Sequence, residues 1–442
     1  MTMKKKLLLM TAAALMGATA VQADEQPQIT NGDFETWTYD GENLPNNWNS
    51  FQTADGSYAS MGYSANNRQV QRSTDVRPGS KGQYSCRIWA RSVLFGIVAQ
   101  GNLTTGRVHA GSTSATNAAN HNYTDRDGSN TNNGVTNPCA MKFTGRPTLL
   151  KAWVKYKPSA DISQYGDHAT AKISAIIHGD GDYISYGVAS NDNDENKALV
   201  VAQAVKEIEY NDGEWQQIVI PFEYTDNEVD PAYILVNAST NAYPGAGKAN
   251  DELYIDDIEV VYAKLFTQDP LYVTVNGVQS GPFDATVYVT ENDDNTIDFL
   301  MRNFVLEAGD DEMPVGNIRV EGIPVEDVGH GITKFADKQT VQIEAGDDPD
   351  APYWVGTFLG DIPLELSGNY NDEHLYVTIH IPLSDDMVVD VLLGEDLTTG
   401  VNSIEEAPTV KGKGVIYDLN GRRVNEMQPG HIYVVNGKKV VK

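Results

Sequence analysis

From residue 27 onward the chain is a succession of short runs rich in β-branched and aromatic residues, broken by Gly, Asn and Asp. Helical periodicity is nearly absent, and residues 197–207 come closest to it. Many short strands with frequent turn signals predict sandwiches or barrels. The fold class is therefore all-β, and 442 residues are enough for two or three such domains.

The first region spans 27–263. Its run Lys151–Lys157 alternates, with Ala152, Val154 and Tyr156 on one face and Lys151, Trp153, Lys155 and Lys157 on the other. That is the pattern of an antiparallel strand with one buried face. Leu253–Tyr262 reads as the closing strand, and we expect it to pair with the opening Asn31-Gly32-Asp33-Phe34-Glu35. Counting by two puts Asp256 on the face of Tyr254, Ile258 and Val260. A carboxylate on an inner face needs a cation or several donors. Residues 101–137 form a long stretch rich in Asn, Ser, Thr and Gly, of the kind that often carries function.

The second region, 266–394, has eight consecutive strand-like runs at 271–276, 283–291, 296–306, 313–321, 338–344, 353–366, 373–381 and 387–393. Eight sequential antiparallel strands predict an up-and-down barrel, which removes sheet edges by closing on itself. Residues 395–410 read as a linker. The tail, 411–442, has seven Lys or Arg against two acids and reads as a short β-hairpin device, with turns at Asn420-Gly421 and Asn436-Gly437.

Residues 1–23 read as a secretory signal, with Lys4–Lys6 ahead of the apolar run Leu7–Met16. That run is too short to span a bilayer. The expected location is extracellular or at the cell surface. A formal charge of −29 argues against nucleic acid as a partner, because phosphate binding needs clustered cations. Abundant carboxylates suit calcium outside the cell. The two cysteines, Cys86 and Cys139, fall in one domain, and export would permit a disulfide; two unpaired buried thiols are the alternative.

Three resemblances fit these boundaries. The first region opens with NGDFETW and Leu44-Pro45-Asn46-Asn47-Trp48 and ends with YIDDIEVVY, which resembles the jelly rolls of carbohydrate-binding modules. Gly101–Arg107, Phe143–Thr148, Lys151–Pro158 and the ending from Val236 more closely resemble the putative carbohydrate metabolism domain, which implies a link to glycans. The second region looks like a calycin-like β-barrel domain, on Tyr272–Gly277, Asn303-Phe304, Met313–Ile318 and Leu375–Ile381. The tail, on Ile416–Val424, Gly430, Ile432–Val440 and Lys442, resembles a type IX secretion sorting signal, which implies an outer-membrane or secretion-system partner. In calcium-bearing jelly rolls a Glu of the opening motif and the Asp of the closing strand share one ion. By motif position the resemblance implies Glu35 and Asp256 as ligands of a structural Ca2+.

Among residues that could carry chemistry, Asp180, Asp182, Glu209, Glu214 and Glu223 give a glycosidase too many carboxylates and distinguish none. His168 and His178 lie near acids, without a nucleophile motif or metal spacing. Trp153, on the Lys-rich face of its strand, is the sugar-stacking candidate. The expectation is an exported, non-catalytic, glycan-associated protein. A glycoside hydrolase and a structural or adhesion component of the surface are the alternatives.

Overall fold

The computed structural model describes residues 26–37, 44–94, 96–128, 139–308, 311–348, 351, 353–384 and 387–398. In the tail it describes 405–406, 416–418, 423–424, 427–429, 432–435 and 438–441. The expected signal, the turns at 420–421 and 436–437 and most of the expected linker lie outside these residues. Among the described residues the only α-helix is the single turn Asp194–Lys197, capped by the Asn193 side chain. The chain divides into two compact units, the second starting at Val261 and taking in residues 147–149.

The first unit is the jelly-roll sandwich. One sheet runs Val70–Ser73, Ser85–Trp89, Glu252–Val261, Leu149–Lys157, Gln216–Pro221. The other runs Glu223–Tyr224, Val200–Ile208, Ala171–His178, Tyr233–Ser239, Asn102–Thr104, with Met141–Lys142 also on Tyr233–Ser239. Alternation sets what is buried: Ala152, Val154 and Tyr156 from one sheet, Ile173, Ala175 and Ile177 from the other, are all at or near zero exposure. A third sheet of Arg107–Ala110, Asn120–Tyr123 and Ile184–Tyr186 comes largely from the polar stretch 101–137.

The opening motif does meet the closing strand. Ile258 N donates to Gly32 O at 2.9 Å, and the Gln28 side chain bonds both backbone groups of Val260. A Cβ at residue 32 would lie 2.0 Å from Ile258 O, so only glycine permits this approach. The closing strand departs from simple alternation. Asp257 has φ +44°, the left-handed region. This one residue shifts the parity, so Leu253 and Ile255 point inward before it, and Ile258 and Val260 after it. Asp256 is buried as expected, but beside Tyr254 on the outer face of the sheet rather than among the inward residues.

The second unit is a curled antiparallel sheet of ten strands. It begins at Lys264–Phe266, follows the consecutive strands from Thr286–Glu291 to Met387–Leu393, and ends on Leu271–Val275 and Val278–Phe283. Eight strands were expected. Lys264–Phe266 adds one, and the run read as 283–291 begins only at Thr286 because Asp284-Ala285 ends the preceding strand. The Asn276-Gly277 turn, with φ +48° and +83°, folds that preceding strand, Val278–Phe283, back on Leu271–Val275. The run read as 353–366 holds a 3-10 turn at Val355–Phe358 before Ile362–Tyr370. The interior is filled by side chains such as Val287, Ile297, Phe299, Met301, Val320, Leu364 and Val377.

In the tail, Ile416–Asp418, Arg423–Val424, Ile432–Val435 and Lys438–Val441 form a small sheet over Tyr433 and Val440. Glu405–Glu406, inside the expected linker, pairs in parallel with its last strand.

Candidate functional site

The sandwich carries a cleft of about 250 Å³ on the outward face of its second sheet. Alternation that points Ile173, Val236 and Leu103 inward points Lys172, Ser174, Asn237, Ser239 and Asn102 outward. Register aligns them into two cross-strand rows, Lys172–Ser239–Asn102 and Ser174–Asn237–Thr104. Asn122, from the third sheet, reaches over this floor. Its Nδ2 donates to Asn237 Oδ1 at 2.8 Å, its Oδ1 accepts from Asn102 Nδ2 at 3.0 Å, and Thr104 Oγ1 donates to Asn237 Oδ1 at 2.7 Å. These groups hold one another in place while each of the three amides retains capacity for a further bond.

The wall is aromatic. His109 and His121, opposite each other on neighbouring strands, stack at 4.9 Å, and Tyr186 meets His121 edge-on at 5.5 Å. His109 Nδ1 lies 2.8 Å from Asp55 Oδ1, and the same carboxylate accepts from Tyr123 OH at 2.8 Å. Burial lowers the pKa of His121. Phe51, Tyr58, Met61, Val93 and Ile97 complete an apolar side.

The expected site residues lie elsewhere, on the outer face of the first sheet and around the loop 74–84. Glu35 Oε1 accepts from the N–H groups of Gln83 and Tyr84, both at 2.8 Å. Asp256 Oδ2 accepts from Arg77 N at 3.1 Å, and Asp256 Oδ1 from Asp257 N at 3.0 Å. Both expected ligands thus hold one loop, from its two ends. Burial raises the Asp256 carboxyl to about 6. Among the described residues no group of three or more His, Cys, Asp or Glu is placed to hold a metal. With N–H donors on both carboxylates, and the Arg77 guanidinium 2.5 Å from Asp257, the donor set does not fit a calcium ion as it stands.

Trp153 is half-buried on this same face, with the Arg77 guanidinium 5.5 Å from its ring centre. The loop cation lies over that ring. Beside it Lys155 bonds Asp75 at 2.5 Å and sits 5.1 Å from the Trp215 ring. Cys86 and Cys139 are free thiols, so the disulfide admitted by the sequence is not formed. Cys86 is paired between Arg72 and Ile255 within the first sheet, whereas Cys139 bridges to Asp125. Burial raises both thiols, Cys139 to about 11.

The carboxylates considered for glycosidase chemistry do not converge. Asp180 and Asp182 are both held by Arg126, at 2.6 and 2.7 Å, and Glu209, Glu214 and Glu223 are exposed. His178 is buried between Thr124 Oγ1 and Gly179 O, and His168 is exposed. Sequence reasoning marked 101–137 as a stretch of interest but did not single out Asn102, His109, His121 or Asn122. The alternation Asn120-His121-Asn122-Tyr123 was the available signal.

The family comparison bears on this unit directly. The Putative carbohydrate metabolism domain matches residues 25–261, more than half of the chain. The chain belongs to that family. A calycin-like beta-barrel domain follows at 268–392, in the order expected. The Putative carbohydrate metabolism domain makes this a carbohydrate-associated protein. A comparison with curated proteins finds no match. Among solved structures, one described as a "putative glycoside hydrolase" from Bacteroides thetaiotaomicron is 18% identical, covers 49% of this chain and 62% of its own, and has a TM-score of 0.35. Another of the same description, from Bacteroides vulgatus, is 16% identical over 43% of this chain and 76% of its own, with a TM-score of 0.30. This chain thus spans less than two thirds of the first structure, and likenesses at these scores carry no argument.

Proposed function

We propose that this chain is an exported, non-catalytic glycan-binding protein and that the cleft over Asn102, Asn122 and Asn237 holds the sugar. The observation that supports it is the pairing of a polar floor with an aromatic wall. Sugar hydroxyls are small donors and acceptors, and crossed amides present both. A pyranose also has an apolar face, which Tyr186 and the stacked imidazoles can cover. The test is a glycan array with the full chain, followed by titration of the best binder into Tyr186→Ala. Loss of the ring is expected to weaken binding about tenfold, equivalent to ~1.4 kcal/mol. No binding across the array would refute the reading.

A second reading is supported by one feature of the same cleft. His109 is oriented by Asp55, an arrangement that serves general acid–base catalysis. Release of reducing sugar that is abolished by His109→Ala would make the chain a carbohydrate-active enzyme. Surface location and an outer-membrane or secretion partner for the tail belong to the same proposal. Retention of the protein in the periplasm after removal of residues 411–442 would support that role for the tail.

A further inference from the structure

Thirty described residues line the cleft and none is Asp or Glu, in a chain where 61 of 442 residues are acidic. The charged side chain among them is Lys172, in line with Ser239 and Asn102 at the cleft floor. Its cross-strand neighbour on the other side is Glu207, an obvious partner. Glu207 is engaged elsewhere: its Oε2 accepts from Thr170 Oγ1 at 2.6 Å. Among the described residues Lys172 makes no ion pair or side-chain hydrogen bond, whereas Lys155, Lys264 and Lys338 are each paired with a carboxylate. The remaining titratable groups of the lining are His109, His121, Tyr58 and Tyr186, with Asp55 buried behind His109.

From this we propose that the cleft selects acidic glycans, seating the carboxylate or sulfate of a sugar on Lys172. The inference rests on the glycan-binding reading of the cleft and names its ligand class. A half-buried ammonium that forms no ion pair, its cross-strand carboxylate Glu207 being exposed and turned to Thr170, attracts an anion more strongly than an exposed one does, because less water screens it. The floor supports the assignment. Asn102 lies in the same row beyond Ser239, whose hydroxyl donates to Asn241 O, and the amide hydrogen that Asn102 Nδ2 does not give to Asn122 can donate to a remaining anionic oxygen. In a strongly acidic chain a lining free of carboxylates removes the repulsion that such a ligand would otherwise meet.

The test is calorimetric titration of the full chain with three probes of similar length: a tri-galacturonate, a sulfated glycosaminoglycan oligosaccharide and neutral maltotriose. One acidic probe is expected to bind at least about tenfold more tightly than the neutral one. That advantage should disappear in Lys172→Gln, shrink in 0.5 M salt and survive in Lys172→Arg. The two acidic probes tell carboxylate from sulfate. Equal binding of acidic and neutral probes, unchanged by Lys172→Gln, overturns the acidic preference and leaves the cleft as a sugar site. Failure of every sugar on the array and of all three probes overturns both. A thermal melt of Lys172→Gln matching wild type shows that any loss is not a loss of fold.

Discussion

Asn122 and Asn237 join two sheets of the sandwich through one hydrogen bond, Asn122 Nδ2 to Asn237 Oδ1 at 2.8 Å. Asn122 is largely buried, and Asn237 accepts from Thr104 as well. Truncation of Asn122 therefore strands the Asn102 amide, which bonds it in both directions, while Asn237 keeps Thr104. Asn122→Ala is expected to lower stability by about 1–3 kcal/mol in urea unfolding, as well as weakening glycan binding.

His178 makes stability depend on pH. It is buried as the neutral imidazole, with Nδ1 toward Gly179 O at 2.9 Å and Nε2 toward Thr124 Oγ1 at 2.7 Å. Burial lowers its pKa to about 4, against about 6.5 when unfolded. The unfolded chain therefore takes up a proton that the folded chain refuses. Its contribution is full above about 6.5 and is lost as pH falls toward 4, by up to about 3 kcal/mol. Unfolding at pH 7 and 4.5 should show a smaller difference in His178→Gln than in wild type. Asp256, raised to about 6, works in the opposite sense over the acid range and is common to both proteins.

Chelation separates two roles for Glu35 and Asp256. If backbone N–H groups alone hold the loop 74–84 on these carboxylates, protein prepared in millimolar calcium will melt at the same temperature after EDTA. That is the expected outcome. A fall of several degrees would establish calcium as a further partner. Removing the guanidinium that pairs with Asp257, in Arg77→Ala, should instead increase protease cleavage within 74–84.

The thiols report on the integrity of the sandwich. Burial keeps Cys86 and Cys139 protonated, and a thiol is a poor nucleophile. A thiol reagent at pH 8 should label neither in the native protein and both after unfolding. A mass two hydrogens lower and no labelling after unfolding would establish a disulfide instead.

The filled barrel predicts a large truncation cost. Phe299 is fully buried in the apolar cluster of the second unit. Phe299→Ala is expected to cost about 3–5 kcal/mol, measured on the unfolding transition of that unit.

The strands were legible because they obey a short-range rule. Ala152, Val154 and Tyr156 alternate as read, and the opening Gly32 meets Ile258. Asp256 was read as buried by counting in twos through the closing strand. The count fails one residue later, because nothing in an Asp codes openly for a left-handed backbone. The burial arises instead from the loop that Arg77 carries over the sheet. The cleft was hidden for another reason. Asn102, Asn122 and Asn237 are separated in sequence, and an isolated Asn in a polar stretch reads as turn chemistry. Trp153 was placed on the correct face, but only packing reveals the cation above its ring.

The left-handed residue at 257 gives the closing strand a mechanical property. The halves on either side of it are out of phase for a regular strand, so straightening residue 257 to extended backbone at unchanged chain length would leave Ile255 in the core and turn Ile258 and Val260 to water, whereas deleting it would restore plain alternation with both still inward. The left-handed backbone of this one residue is thus as strongly constrained as any buried side chain. Forcing it into the ladder would unseat half of the strand that closes the sandwich.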